Sequence, residues 1–139
     1  MANEIDLMKY RIEQSKECLK SAELLVREGA FRDAANRSYY CILHAMRAIL
    51  ALEKFDSKKH SGVISAFRQK YIKTGIFAAY FSDIIGDAFE VRGDSDYEDF
   101  YVVSQQQISE QIENAKLFLK AVEKYIAIQP IDALDQPDI

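Results

Sequence analysis

Two groups of side chains in this sequence have the types and spacing to do chemistry. Arg37, Tyr40, His44 and Arg47 recur at intervals of three, four and three, which on a helix lines up two guanidiniums, a phenol and an imidazole along one side. Burying such groups without partners is costly. The strip must therefore pair with acids of neighbouring helices, lie on a two-fold interface where two copies meet, or line a groove for a phosphate-bearing ligand, which guanidinium geometry suits. The second group is Arg92 followed by Asp94, Asp96, Tyr97 and Asp99, with Tyr101 just beyond. A cation opposing the helix dipole would account for an isolated arginine. It does not account for an acidic stretch that also carries two tyrosines. Lys58, Lys59 and His60 make a weaker third group at the start of a helix, where free amides and flanking cations attract anions.

Other chemistries find no residues. The chain has no glycine-rich phosphate loop, no HExxH pair and only two histidines, so no metal and no cofactor is expected. Cys18 and Cys41 lack a CxxC spacing and fall inside apolar helical patterns, which reads as packed core thiols.

The elements that must position these residues are helices. Both prolines, Pro130 and Pro137, fall in the last ten residues and there are only five glycines, whereas an all-β sandwich needs a turn signal roughly every ten residues. Periodicity and caps predict helices over 4–28, 32–54, 61–72 and 76–92, and a fifth from a Ser104 cap through Ile126. The second is apolar all round, from Ala34 to Leu50, and so belongs at the centre. The fourth carries Asp83, Asp87 and Glu90 as an acidic stripe away from its buried face, and Gly93 is expected to end it, leaving 94–101 as an acidic loop. Ser104 and Gln107 have the spacing of a capping box. The expected fold is all-α: a single-domain, up-and-down bundle of about five helices over residues 1–128, with a flexible tail over 129–139.

A chain of 139 residues, 49% hydrophobic, suits one domain with one core. Its N-terminus lacks the basic start and apolar run of a signal peptide, and no segment is apolar for long enough to span a bilayer, so a cytoplasmic protein without membrane contact is expected. The net charge of −4 argues weakly against a nucleic-acid binder. By segment the picture changes: residues 30–75 hold nine basic and three acidic residues, while 76–139 hold four and thirteen. A phosphate-bearing ligand would have to bind the basic middle of the chain.

The stretch from Asp33 to Leu50, containing Asn36-Arg37-Ser38-Tyr39-Tyr40 and His44-Ala45, followed by Lys59-His60-Ser61-Gly62 and by Arg92 ahead of Asp96-Tyr97, resembles the HEPN domain family over about residues 5–127. The similarity is greatest to its small stand-alone members, often encoded beside a minimal nucleotidyltransferase. The resemblance implies a helical bundle, a homodimer, and kinship with metal-independent ribonucleases and toxin–antitoxin components. In the nucleases an arginine and a histidine meet at the dimer cleft, the imidazole moving protons and the arginine stabilising phosphorane charge. Arg92 stands at the motif's arginine, Tyr97 stands where the histidine should fall, and Asp99 holds the motif's tyrosine position.

The resemblance thus implies a protein acting with a nucleotidyltransferase partner in a toxin–antitoxin-like or nucleotide-linked system. Arg37, Tyr40, Arg47, Asp96 and Tyr97 would bind an RNA or nucleotide, and Tyr97 or Tyr101 would be the residue adenylylated by the partner. Alternatives are a ribonuclease in which His44 approaches Arg92 and replaces the missing histidine, and a non-catalytic helical interaction domain. Ala22, Leu25, Gly29, Phe31, Ala34 and Tyr40 also resemble a tetratricopeptide-type hairpin, but one repeat cannot form a solenoid.

Overall fold

The computed structural model describes residues 3–130, and all of their regular structure is helical. Five α-helices follow one another: α1 (Glu4–Arg27), α2 (Phe31–Leu52), α3 (His60–Phe67), α4 (Tyr80–Tyr97) and α5 (Gln105–Ala127), with a π-helical turn, Arg68–Ile72, continuing α3. Asn3 starts α1 with a capping box, its side chain accepting from the Asp6 amide at 2.9 Å while Asp6 reaches back to the Asn3 amide. Gly29, at φ +77°, closes the helix and turns the chain directly into α2. The resulting α1–α2 hairpin is the antiparallel pair that a short connection dictates.

α2 is the central element, with thirteen of its 22 residues buried, and it packs against α1, α3, α4 and α5. The main core gathers Ile42, Met46, Ile49 and Leu50 of α2 with Met8 of α1, Val63 and Phe67 of α3, Phe81 and Ile85 of α4 and Phe118 of α5. A second, smaller core of Ala22, Ala34, Ala35, Val91, Val103, Ile108 and Ile112 lies at the hairpin end. Cys18 and Cys41 are buried, free thiols. No helix among the described residues is long and apolar enough to cross a membrane. Of the tail expected from residue 129, all but the first two residues lie outside the described residues.

Two departures from the sequence reading matter for the site. α4 begins at Tyr80 and not at residue 76, and it runs through Gly93 to Tyr97, so the first half of the expected acidic loop is the helix's last turn. Three interactions carry it past the glycine. Arg92 and Asp96 form an i,i+4 ion pair at 3.1 Å. The Glu98 amide donates to the Asp94 carbonyl at 3.0 Å. Arg32, from the first turn of α2, donates through Nη2 to the Ser95 carbonyl and, at 3.5 Å, to that of Glu98, placing a cation on the helix's free carbonyls. The other departure is the capping box of α5, which is half made. Ser104 accepts from the Gln107 amide at 3.1 Å, but the Gln107 side chain donates instead to Tyr101 Oη at 3.1 Å.

α3 starts one residue earlier than expected, at His60, because Ser57 organises the turn before it. Its hydroxyl accepts from the Lys59 amide at 3.2 Å and donates to the Lys59 carbonyl at 3.3 Å. A Cβ on Gly62 would stand 2.4 Å from that hydroxyl, so only glycine fits beneath the turn.

Two helical glycines, Gly62 and Gly93, should therefore respond oppositely to alanine. Gly93 has open space where a Cβ would go, so Gly93→Ala should raise the unfolding free energy by about 0.5–1 kcal/mol. Gly62→Ala should lower it by about 1–3 kcal/mol as the turn is pushed aside; urea midpoints of the two variants measure both.

Candidate functional site

Three helices bring aromatic, imidazole and guanidinium groups together. Tyr39 of α2 is buried, with its ring edge-on to those of Tyr40, at 5.1 Å between centroids, and Phe89 of α4, at 6.0 Å. Tyr39 Oη lies 2.9 Å from Nδ1 of His60, the first residue of α3. The imidazole also meets Tyr40 edge-on at 5.6 Å. Arg92 enters from α4, its Cζ standing 5.3, 5.8 and 5.9 Å from the ring centroids of Tyr39, Tyr40 and Tyr97. Such cation–π contacts hold a guanidinium without using up its hydrogens.

Few of those hydrogens are satisfied. Nη2 donates to Tyr40 Oη at a long 3.4 Å, and Nε faces Asp96 Oδ2 at 3.1 Å. The Asp96 contact is an ion pair rather than a hydrogen bond, because the buried Nε–H has no acceptor in line. Arg92 is thus fixed in place while donors remain for a ligand. Burial pushes the Tyr39 phenol up to about 12, against the Arg92 charge, so it stays protonated. Burial and then the charges of Arg92 and Arg47 pull His60 below the ordinary imidazole value. His60 is accordingly neutral near pH 7, the state in which an imidazole accepts a proton.

The strip predicted on α2 continues this surface, and its four residues are all half-buried. Arg37 stacks on Tyr40 at 5.0 Å and bonds the Asn36 carboxamide oxygen through Nε at 3.1 Å and Nη2 at 2.7 Å; among the described residues no carboxylate pairs with it. Arg47 donates to Asp56 Oδ1 at 3.0 Å, and Arg11 of α1 donates to Asp56 Oδ2 at 3.3 Å and to the Arg47 carbonyl at 3.0 Å. Asp56 therefore bridges two arginines. Burial works against its charge, but hydrogen bonds from Arg47 and the Ser57 amide, with the charges of Arg11 and Arg47, hold its carboxyl below the usual range.

His44 stacks at a tilt on Tyr40, 6.1 Å away, on the same strip. Burial, followed by the charges of Arg47, Arg37 and Arg11, takes it down to about 4. His44 and Arg92 both stand against the Tyr40 ring, 6.1 and 5.8 Å from its centroid, with no direct contact between them among the described residues. Of the other expected residues, Lys58 and Lys59 are exposed, Tyr97 is 78% exposed, and Tyr101 is half-buried under its bond from Gln107.

Sequence reasoning did not select Tyr39, Asp56, Arg11 or Phe89 for this site. Tyr39 had a signal, since it sits beside Tyr40 in a Tyr-Tyr pair, but its position matched the apolar pattern of a core residue. Arg11 and Asp56 lie 36 and nine residues from Arg47, and no local spacing joins them.

The family model of the HEPN domain matches residues 8–125. The chain belongs to the HEPN domain family. Among its relatives, a UPF0332 protein of Thermotoga maritima is 31% identical over 120 residues, covering 86% of this chain and 91% of that protein. Two proteins of Methanocaldococcus jannaschii named "Putative toxin" are 26% and 34% identical, covering 83% and 62% of this chain and 78% and 64% of their own lengths. The crystal structure of an archaeal HEPN homologue superimposes with a TM-score of 0.61 at 19% identity, covering 91% of this chain and 99% of the other, and so shares the HEPN fold.

The depressed His44 titration makes a stability statement. Its folded value, about 4, lies below the unfolded 6.5, so between these values the unfolded chain binds the extra proton and stability falls as pH drops. Allowing for solvent screening at a half-buried site, the loss should be about 1–2 kcal/mol. Urea unfolding at pH 7 and pH 4.5 should show this loss for the wild type, and His44→Asn should show a correspondingly smaller one.

Proposed function

We propose that this HEPN protein is a toxin-type component of a two-protein system and that it binds a phosphate-bearing ligand, RNA in the first place, at the Arg92 cluster. The observation that carries this reading is Arg92 itself, clamped by three aromatic rings with its Nε–H unmatched, beside a neutral histidine. Guanidinium donors suit phosphate oxygens. Arg37, which has no acid partner among the described residues, and the basic segment around it extend the attraction. Two relatives carry the toxin name, which supports the same reading.

In its ribonuclease form the reading pairs Arg92 with His60 in place of His44. A ribose 2′-hydroxyl would lose its proton to the His60 Nε2 as the oxygen attacks the adjacent phosphorus; the P–O5′ bond would then break to leave a 2′,3′-cyclic phosphate and a 5′-oxygen that takes up a proton from the imidazolium or water, while Arg92 would stabilise the charge that develops on the phosphorane. The tautomer whose Nδ1–H donates to Tyr39 Oη leaves Nε2 free as the base, and Tyr39 would keep the ring in that orientation. A homodimer completes the site in this proposal: an isologous contact across the Tyr40 side of α2 would face one Arg92 cluster with the other. Tyr97, freely exposed where Tyr101 is not, favours a second role as the acceptor for an adenylyl group from a nucleotidyltransferase partner.

The purified protein incubated with total RNA in the presence of a chelator should cleave it. Arg92→Ala and His60→Gln should each lower the rate by about 10²–10³-fold, while His44→Asn should leave it within a few-fold. Intact RNA with the wild type, or loss of cleavage in His44→Asn alone, would refute the ribonuclease form. Co-incubation with a minimal nucleotidyltransferase and labelled ATP should label the wild type and spare Tyr97→Phe.

A further inference from the structure

The acidic stripe on α4 takes no part in the Arg92 cluster. Asp87, Glu90 and Asp94 follow one another at intervals of three and four. At about 100° per residue, Glu90 and Asp94 each lie roughly 200° round the helix from Arg92, so the stripe forms its opposite face. There it makes one wall of a groove of about 290 Å³. Glu110 and Gln111 of α5, with Tyr101, line the remainder.

Two observations say that this groove awaits a ligand. Among the described residues none of its four carboxylates has a cation at ion-pair distance, although like charges one turn apart weaken the helix that carries them. Independently, Gln111 is only 6% exposed and lines the groove, and its carboxamide makes no hydrogen bond among the described residues and opens onto that space. A hydrogen-bonding group of a ligand lying in the groove would reach it.

The arrangement also selects the ligand's chemistry. The described residues contain no group of His, Cys, Asp or Glu side chains that could hold a metal ion; here the carboxylates are strung along a helix, which suits an extended polycation. Flanking the groove residue Tyr101 in the chain, Phe100 is 98% and Val102 80% exposed, apolar surface that a protein can cover and a free polyamine cannot.

We infer that the α4–α5 groove docks a lysine- or arginine-bearing segment of a partner protein. Its cations lie along Asp87, Glu90 and Asp94, a donor reaches Gln111, and its apolar residues cover Phe100 and Val102. Because the groove is on the far side of α4 from Arg92, the inference is independent of what Arg92 binds.

The probe is a fluorescein-labelled peptide alternating arginine with leucine, titrated into the intact protein at low salt and read by anisotropy. Saturable binding is expected, weakened about tenfold by Asp87→Asn/Asp94→Asn. Gln111→Leu, which keeps the volume and removes the carboxamide that opens onto the groove, should also weaken binding while the melting temperature holds or rises. Glu13→Gln/Glu17→Gln, removing equal charge from α1, should leave affinity unchanged. Absence of binding, equal weakening by the α1 pair, or displacement of the peptide by spermine at matched charge would overturn the inference, the last assigning the groove to polyamines.

Discussion

Everything in this molecule is arranged around the burial of α2. A helix that hides thirteen of 22 residues needs neighbours on nearly every side, and α1, α3, α4 and α5 supply them. What is left of its surface is one narrow edge. Arg37, Tyr40, His44 and Arg47 occupy that edge, and the helices flanking it deliver His60 and Arg92 to the same place. The site is thus the seam that the packing leaves open, and its position follows from the core.

Burial also sets the electrostatics of the seam. Four arginines, Arg11, Arg37, Arg47 and Arg92, lie at or beside it, against two nearby carboxylates, Asp56 and Asp96. The excess of positive charge and the partial desolvation act in the same direction on both imidazoles, which are kept neutral. A neutral base beside an under-neutralised cation is a poor arrangement for stability and a good one for receiving an anion.

The helices were legible in the sequence because their signals are local: 3.6-residue periodicity, the Gly29 stop and the Ser104 cap. The C-terminus of α4 was not, because the glycine at 93 is a stop signal only if nothing distant opposes it, and Arg32 does. The site divides in the same way. Arg92 and the α2 strip follow from spacing along one chain segment and from a family resemblance. The join of Tyr39 to His60, and of Arg11 to Asp56, spans 21 and 45 residues and depends on how three helices pack, which no pattern within one helix records. His60 was visible as part of a cationic helix start, but its partner was hidden among core residues.

The tether from Arg32 to the end of α4 bears on the order in which the molecule assembles. The last turn of α4 follows a glycine and has an acidic sequence, so its local tendency to form is low; besides the local Arg92–Asp96 pair, it leans on a contact from Arg32, 63 residues away in the chain. A contact of that range forms only after the α1–α2 hairpin has met α4. Asp96 and Tyr97, which frame Arg92, ride on that turn. The most local-looking part of the site, five or so residues around one arginine, is therefore among the last to acquire its shape.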